Sequence, residues 1–159
     1  MFERFAKDVR RSVERAVDEA QALDSATVEA EHLLLALAAD EPSPVVRLLA
    51  DSGLDHAGLQ AALERETERS LAAVGVVVGD FVLSERSSPP RHRPRFAASA
   101  KRALERTLGE ALAQSDRSIT SQHLLVGILR ADNGTVPRAL AAVEVDRIAL
   151  LVGAERLLG

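Results

Sequence analysis

The sequence predicts an all-α fold in which two similar four-helix repeats pack pseudo-symmetrically into one globular domain. The stretch VEAEHLLLALAAD (28–40) returns as ITSQHLLVGILRA (119–131), which indicates a tandem duplication. Sliding the chain by 91 residues extends the match without a gap, and among the agreeing pairs are Phe5/Phe96, Arg11/Arg102, Glu19/Glu110, Arg47/Arg138 and Glu64/Glu155. Apolar residues in both halves recur at helical spacing. One four-helix copy is too small for a good core, so the two copies are expected to share one.

The first two helices follow from apolar spacing and from the polar segment between them. Residues 2–22 are predicted to form an amphipathic helix with Phe2, Phe5, Val9, Val13, Ala16, Val17 and Ala20 on one face. Asp24, Ser25 and Thr27 then interrupt the pattern and offer oxygen acceptors to a following helix. The second helix is predicted over 30–39.

Proline and glycine set the limits of the next helices. Pro42 and Pro44 end helix two and begin a short third helix, which Ser52 and Gly53 close with a left-handed cap. A fourth helix is predicted over 55–68. The second copy repeats the plan at 96–114, 121–131, 136–143 and 146–157, with Thr120 or Ser121 as the cap before QHLLVGIL.

The chain is thus predicted to be one domain, with repeat one at 1–69, an inserted linker at 70–94 and repeat two at 95–159. The linker begins with VGVVVGDFVL, where Gly79-Asp80 is a weak hairpin signal, and continues with the Pro-, Ser- and Arg-rich SERSSPPRHRPR. Two interpretations stay open: the linker is a tolerated insertion, or its apolar part covers a groove on the domain.

Composition excludes several classes of protein. A run of 18 apolar residues and a cleavable leader are both missing, so a cytoplasmic protein that does not cross a membrane is predicted. Cysteine is absent, which excludes disulfides and thiol catalysis.

Charge is distributed unevenly along the chain. Residues 1–70 hold 8 Lys and Arg against 15 Asp and Glu, whereas residues 84–106 hold 7 Lys and Arg against 2 Asp and Glu. Because that basic strip is short and Phe96 is its single phenylalanine, too few aromatic rings are present for base stacking, and no nucleic-acid partner is predicted.

The opening MFERF, the His-Leu-Leu motif of each copy (residues 32–34 and 123–125) and the second-copy start FAASAKRALE closely resemble the N-terminal Clp repeat domain of ClpC-type Clp ATPases. The resemblance covers nearly everything outside residues 70–94. It implies the two-repeat all-α fold. It also implies a role in receiving peptides, adaptor proteins or substrate proteins for a Clp ATPase ring and its protease.

A search for catalytic chemistry finds none. The chain has no GxxxxGK[ST] phosphate loop, so the ATPase modules of full-length Clp proteins are not expected in it. His32 and His123 have no helical metal partner and are predicted to be structural hydrogen-bonding residues. Ser115 and Asp116 lie near His123 in sequence, but no GxSxG turn activates the serine. We therefore predict no catalytic residue, no metal and no cofactor.

In some relatives, arginine-phosphorylated substrates bind at the start of each copy's second helix, and the resemblance transfers this site to Glu31, His32, Ser121, Gln122 and His123. A carboxylate there would pair with the guanidinium group, while helix amides and a hydroxyl would hold the phosphate. Copy one keeps the carboxylate without the hydroxyl, and copy two keeps the hydroxyl without the carboxylate. Any phosphoarginine binding is therefore predicted to be weak and confined to Glu31.

A second surface matches the family better. In actinobacterial relatives, cyclic peptide antibiotics dock between the first helices of the two copies. The matching positions here are Phe2, Arg10, Val13, Phe96, Lys101, Leu104, Glu105 and Leu108. Their apolar centre and charged rim are typical of a binding pocket. The alternative is that Val13, Leu104 and Leu108 are only inter-repeat core.

The resulting hypothesis is a non-catalytic peptide-, adaptor- or substrate-binding module that regulates or shields Clp-dependent proteolysis. Two rivals stay open: a small hydrolase on an α-helical scaffold, and a structural protein that caps a helical partner.

Overall fold

The structure is a computed structural model that describes residues 2–76 and 93–159. Within this part the chain forms eight α-helices and two short strands. They are α1 (Lys7–Ala22), β1 (Thr27–Val28), α2 (Ala30–Ala38), α3 (Pro44–Asp51), α4 (His56–Ala73), β2 (Arg95–Phe96), α5 (Ala98–Ala113), α6 (Ser121–Leu129), α7 (Thr135–Ala142) and α8 (Arg147–Arg156). The predicted all-α fold is confirmed.

Local sequence explains where several of these helices begin and end. Ser43 caps α3 by accepting the Val46 N–H at 3.2 Å, and Pro44 occupies the first helical position. Asp55 caps α4 in the same way through the Gly58 N–H at 2.8 Å. Gly53, with a φ of 74°, ends α3 in the left-handed conformation that the sequence predicts.

The central pair of helices is α2 and α6, which carry the repeated motif. Residues 32–38 of α2 and 123–129 of α6 are all buried, so these stretches are covered on every side. Each is covered by the first helix of its own copy, α1 or α5, and the two central helices also touch each other. One contiguous core therefore runs through both copies, as the insufficient volume of a single copy predicts.

Contacts between the copies come in pairs that the 91-residue offset relates. Phe96 pairs with Val28 in the parallel β1–β2 ladder, and the equivalent Phe5 pairs with Ile119 in an isolated parallel bridge. The residue after each phenylalanine donates its N–H to the carbonyl oxygen of that partner, at 2.9 Å in both cases. A pseudo-twofold relation between the copies requires such paired contacts.

The outer helices also cross between the copies. Helix α4 packs against α7 of the other copy, and the equivalent pair, α3 and α8, is in contact as well. The Arg138 guanidinium on α7 binds the Glu66 carboxylate on α4 at 3.0 Å. Ser70 donates a further hydrogen bond to the same carboxylate at 2.5 Å.

Several predicted boundaries are wrong. Helix one begins at Lys7 instead of residue 2, because Phe2–Arg4 form a 3₁₀ turn and Phe5 crosses to the other copy. Helix α5 begins at Ala98 instead of residue 96 for the equivalent reason.

Helix α4 continues to Ala73, so residues 70–73, assigned to the linker, are helical. The residue that caps α2 is Glu29, and not Asp24, Ser25 or Thr27. Most of the predicted hairpin, including Gly79-Asp80, lies outside the described residues. The division into two repeats and a linker stays a prediction. Among the helices in residues 2–76 and 93–159, none is long and apolar enough to cross a membrane.

Candidate functional site

A cavity of about 410 Å³ lies between the first helices of the two copies. Helix α5 supplies four of its lining residues at positions 101, 104, 105 and 108, a spacing that places them on one face of a helix. Helix α1 and the two inter-copy backbone crossings supply the rest. The lining residues are Phe5, Val13, Phe96, Lys101, Leu104, Glu105 and Leu108.

Six of the eight residues predicted for this pocket line the cavity: Val13, Phe96, Lys101, Leu104, Glu105 and Leu108. Arg10 is not in the wall, and its guanidinium donates to the Glu3 carbonyl at 3.4 Å instead. Phe2 lies in the 3₁₀ turn, and its side chain is outside what the structure describes. Phe5 was not among the residues predicted for this pocket, although its alignment with Phe96 was the signal that could have found it.

The cavity has an apolar centre and a charged edge. Val13, Leu104, Leu108 and Phe96 are half-buried and pack against the core, so each presents part of its side chain to the cavity. Lys101 and Glu105 are exposed at the edge. Such a layout allows an apolar ligand group to be desolvated while polar groups of the ligand meet charges at the rim. The pocket and core interpretations of Val13, Leu104 and Leu108 are therefore compatible.

The two motif histidines have the same structural role in both copies. His32 Nδ1 accepts the backbone N–H of Glu29 at 2.8 Å, and His123 Nδ1 accepts that of Thr120 at 3.0 Å. Each histidine thus completes a capping box at the start of α2 or α6. Since Nδ1 is the acceptor, the proton of the neutral ring lies on Nε2, and in His123 this nitrogen binds Asp116 Oδ2 at 2.9 Å.

This arrangement leaves the histidines little capacity for catalysis. The lone pair of Nδ1 is engaged by a backbone amide, and both rings are buried. Burial also lowers the pKa of His32 below its ordinary value, so its ring is neutral at pH 7. No cluster of three or more potential metal ligands occurs in residues 2–76 and 93–159.

The first amides of α2 and α6 are bound by side chains from the opposite copy. Ser99 Oγ accepts the Ala30 N–H at 2.9 Å, and Asp8 Oδ2 accepts the Ser121 N–H at 3.1 Å. These donors are the ones that the resemblance assigns to a phosphate. At α6 an incoming phosphate would also meet the Asp8 carboxylate, which repels it.

Glu31 lines a separate, acidic cleft of about 640 Å³ between the start of α2 and α4, together with Glu64, Glu66 and Glu68. Burial raises the pKa of Glu31 to about 7, and the nearby Glu29 and Glu66 charges act in the same direction. Near neutral pH its carboxyl group is therefore protonated in about half of the molecules.

The sequence is similar to that of Clp proteins. The family model described as the Clp repeat (R) N-terminal domain matches residues 4–141 and 95–159. The chloroplastic chaperone protein ClpC1 of Oryza sativa subsp. japonica is 28% identical over 146 residues, covering 92% of this chain and 14% of that protein. The ATP-dependent Clp protease ATP-binding subunit ClpA homolog of Guillardia theta is 27% identical over 159 residues, covering 100% of this chain and 18% of that protein. The chain thus spans less than a fifth of these relatives.

Solved structures share the fold. The N-terminal domain of the caseinolytic protease associated chaperone ClpD from Arabidopsis thaliana matches with a TM-score of 0.70 at 23% identity, covering 100% of this chain and 97% of that one. The Hsp104 N-terminal domain from Candida albicans matches with a TM-score of 0.67 at 16% identity, covering 99% of this chain and 93% of that one. Because the family model matches nearly the whole sequence, the chain belongs to the Clp repeat (R) N-terminal domain family.

Proposed function

We propose that the protein is a non-catalytic binding module that takes peptides, adaptor proteins or substrate proteins of a Clp protease system into the cavity between α1 and α5. The observation that carries this proposal is the cavity itself. Its apolar centre belongs to both copies, and Lys101 and Glu105 stand at its edge. An apolar side chain of a peptide would lose its hydration in this centre, while peptide backbone or polar groups remain at the rim.

The proposal extends to one kind of ligand and to one cellular role. Cyclic peptide antibiotics of the class that the family resemblance implies have apolar side chains on a compact ring, which suits a cavity of about 410 Å³. A protein that binds such ligands, or protein chains destined for degradation, would regulate or shield Clp-dependent proteolysis. The sequence predicts that this takes place in the cytoplasm. The names of the relatives describe chaperones and ATP-binding subunits, and ATPase activity is not proposed for this chain.

The two rival functions have less support. A hydrolase needs a base with a free lone pair beside a nucleophile, whereas Nδ1 of both motif histidines already accepts a backbone N–H. A purely structural capping protein would not need a half-buried apolar cavity between its repeats. Incubation of the purified protein with casein and, separately, with ATP tests the enzyme hypothesis, because turnover of either would overturn the non-catalytic assignment.

Calorimetric titration of a cyclic peptide antibiotic of the class that docks on ClpC N-terminal domains tests the pocket. Leu104→Ala removes part of the apolar centre, and Leu112→Ala is the matched control, since Leu112 lies on the same helix but is 55% exposed and outside the cavity. We expect Leu104→Ala to weaken binding about two- to fivefold, because only the exposed part of the side chain is available to a ligand, and Leu112→Ala to leave it unchanged. Equal affinities for wild type and both variants would refute the assignment of the pocket.

A further inference from the structure

We infer that the acidic cleft between the start of α2 and α4 is a second peptide site, which takes a lysine or arginine side chain of a basic peptide. The cleft has a volume of about 640 Å³. This volume is within the range of ligand sites and leaves room for one long side chain with the adjoining peptide backbone. The inference does not depend on the α1–α5 pocket, because it concerns other side chains and another ligand chemistry.

The charge of the cleft wall has one sign. Four glutamates line the cleft, and among the described residues that line it none is lysine or arginine. Two of the glutamates carry little free charge, because Glu66 is paired with the Arg138 guanidinium at 3.0 Å and Glu31 is half protonated near neutral pH. Glu64 and Glu68 are exposed, and neither forms an ion pair within the part of the chain that the structure describes. The wall therefore keeps two carboxylates whose charge no cation of the cleft offsets.

The two exposed glutamates are neighbours on α4, and apolar residues lie beside them. Glu64 and Glu68 are four residues apart on the helix, where like charges repel each other. A cation between them would reduce this repulsion and donate hydrogen bonds to both carboxylates. Leu23, which is 49% exposed, and the half-buried Leu63 line the same cleft. The aliphatic stem of a lysine or arginine would lie along these leucines while its charged end stays at the glutamates.

A buried histidine supplies an observation that does not depend on the glutamates. His32 is only 4% exposed and lines the cleft. Its Nδ1 accepts the Glu29 N–H, so the neutral ring carries its proton on Nε2. Within residues 2–76 and 93–159 this second N–H has no hydrogen-bond acceptor. The Ser12 hydroxyl is the only fully enclosed side-chain group without a partner among the same residues, so Nε2 of His32 is open to the cleft.

An acceptor supplied by a ligand would satisfy this donor. Buried donors are nearly always hydrogen-bonded in native proteins, because an unsatisfied one costs free energy. The carbonyl oxygen of a peptide backbone at the floor of the cleft would accept the His32 N–H, while the cationic side chain of the same peptide reaches the exposed glutamates. The cleft thus offers partners for two different groups of one basic residue.

The second copy shows how such a histidine is satisfied from within the chain. His123 Nε2 binds the Asp116 carboxylate at 2.9 Å. The 91-residue offset places Ser25 at the equivalent position of the first copy, and the Ser25 hydroxyl donates to the Thr27 carbonyl at 2.6 Å. Of the two motif histidines, it is therefore His32 that keeps its Nε2 proton for a ligand.

Fluorescence anisotropy with a rhodamine-labelled, lysine-rich peptide at pH 7 tests this inference. The control peptide carries acetyl-lysine at every lysine position, which keeps the stem and removes the charge. The test variant is Glu64→Gln/Glu68→Gln. The matched control is Glu14→Gln/Asp18→Asn, because these two residues are also exposed, four positions apart on α1 and outside the cleft.

We expect the test variant to bind the lysine peptide about three- to tenfold more weakly than wild type does. The control variant should bind it as wild type does, and the acetylated peptide should not bind measurably. A long-range ¹H–¹⁵N correlation spectrum of the imidazole rings examines the histidine without any substitution. Saturating lysine peptide should shift the Nε2 resonance of His32 and leave that of His123 in place, because Asp116 already binds the latter.

Each of four results would overturn the inference: wild type that does not bind the lysine peptide, equal losses in the two double variants, equal binding of the acetylated peptide, or an unmoved His32 resonance. A competition arm separates this site from a phosphate site at the start of α2. Displacement of the peptide by free phosphoarginine more effectively than by free arginine would also count against the inference, because the exposed glutamates repel a phosphoryl group. Glu64→Gln/Glu68→Gln should bind the cyclic antibiotic as wild type does. A failure of the acidic cleft is thus distinguishable from a failure of the α1–α5 pocket.

Discussion

Replacing Phe96 by alanine should weaken ligand binding in the α1–α5 pocket more than it weakens the fold. Phe96 lines the cavity and is half-buried, so part of its ring is free to contact a ligand. Phe5, its equivalent in the first copy, also lines the cavity but is only 5% exposed. The two phenylalanines therefore form a matched pair in which the same substitution removes mainly ligand contact in one case and mainly core packing in the other.

The magnitudes follow from these exposures. Complete burial of a phenylalanine is worth about 1.5–3 kcal/mol. Because no more than about a third of Phe96 is exposed without ligand, about a third of this free energy, roughly 0.5–1 kcal/mol, is available to binding, which corresponds to a loss of about two- to fivefold in affinity. Phe5→Ala instead leaves a cavity in the core, which typically costs about 3–5 kcal/mol of unfolding free energy.

Two assays separate these effects. Urea unfolding followed by circular dichroism gives the stability of wild type, Phe96→Ala and Phe5→Ala, and calorimetry with the cyclic peptide antibiotic gives the affinities of the folded variants. We expect Phe5→Ala to be the least stable and Phe96→Ala to lose affinity while staying folded well above the assay temperature. A Phe96→Ala protein with unchanged affinity, or one as unstable as Phe5→Ala, would refute the reasoning.

The remaining predictions concern the helix starts. Burial raises the folded-state pKa of Glu31 to about 7, so the contribution of its carboxyl group to stability is full below its unfolded-state pKa and is lost as pH rises through about 7. Glu31→Gln should therefore stabilise the protein at pH 8, by at most about 3 kcal/mol, and should not stabilise it at pH 4. Urea unfolding at both pH values measures the difference. His123→Ala should lower the unfolding free energy by about 2–3 kcal/mol through loss of its cap and packing, and a melting temperature equal to that of wild type would contradict this. Calorimetry with phosphoarginine should find weak binding that Glu31→Ala abolishes and Gln122→Ala does not; two tight, comparable sites would exclude this outcome.

The residues of the pocket show why sequence reasoning worked for part of the site. Leu104 and Leu108 follow from helical spacing, since a regular helix places such residues on one face. Helical spacing also placed Phe2 and Phe5 on that face, but the chain leaves the helix there. At Phe5 the backbone crosses to Ile119 of the other copy, and a bridge between residues 114 positions apart has no local signal.

The charged residues show the same limit. Glu66 appears in sequence as one of several acidic residues on a solvated helix, yet it is buried and pairs with Arg138 of the other copy. The elevated pKa of Glu31 likewise depends on neighbours that are distant in the chain. Coulomb and desolvation energies depend on distance in space, which the order of residues does not state.

The sequence by itself determined the duplication, the all-α class, most helix ends and the burial of the repeated His-Leu-Leu helices, because periodicity, capping and helix breaking act over a few residues. Only the tertiary structure decided how the two copies exchange contacts. It fixed the backbone crossings at Phe5 and Phe96, the packing of α4 on α7, and the cavity between α1 and α5. These features arise where surfaces from both copies meet, and their free energies come from shared burial and charge pairing that neither copy contains alone.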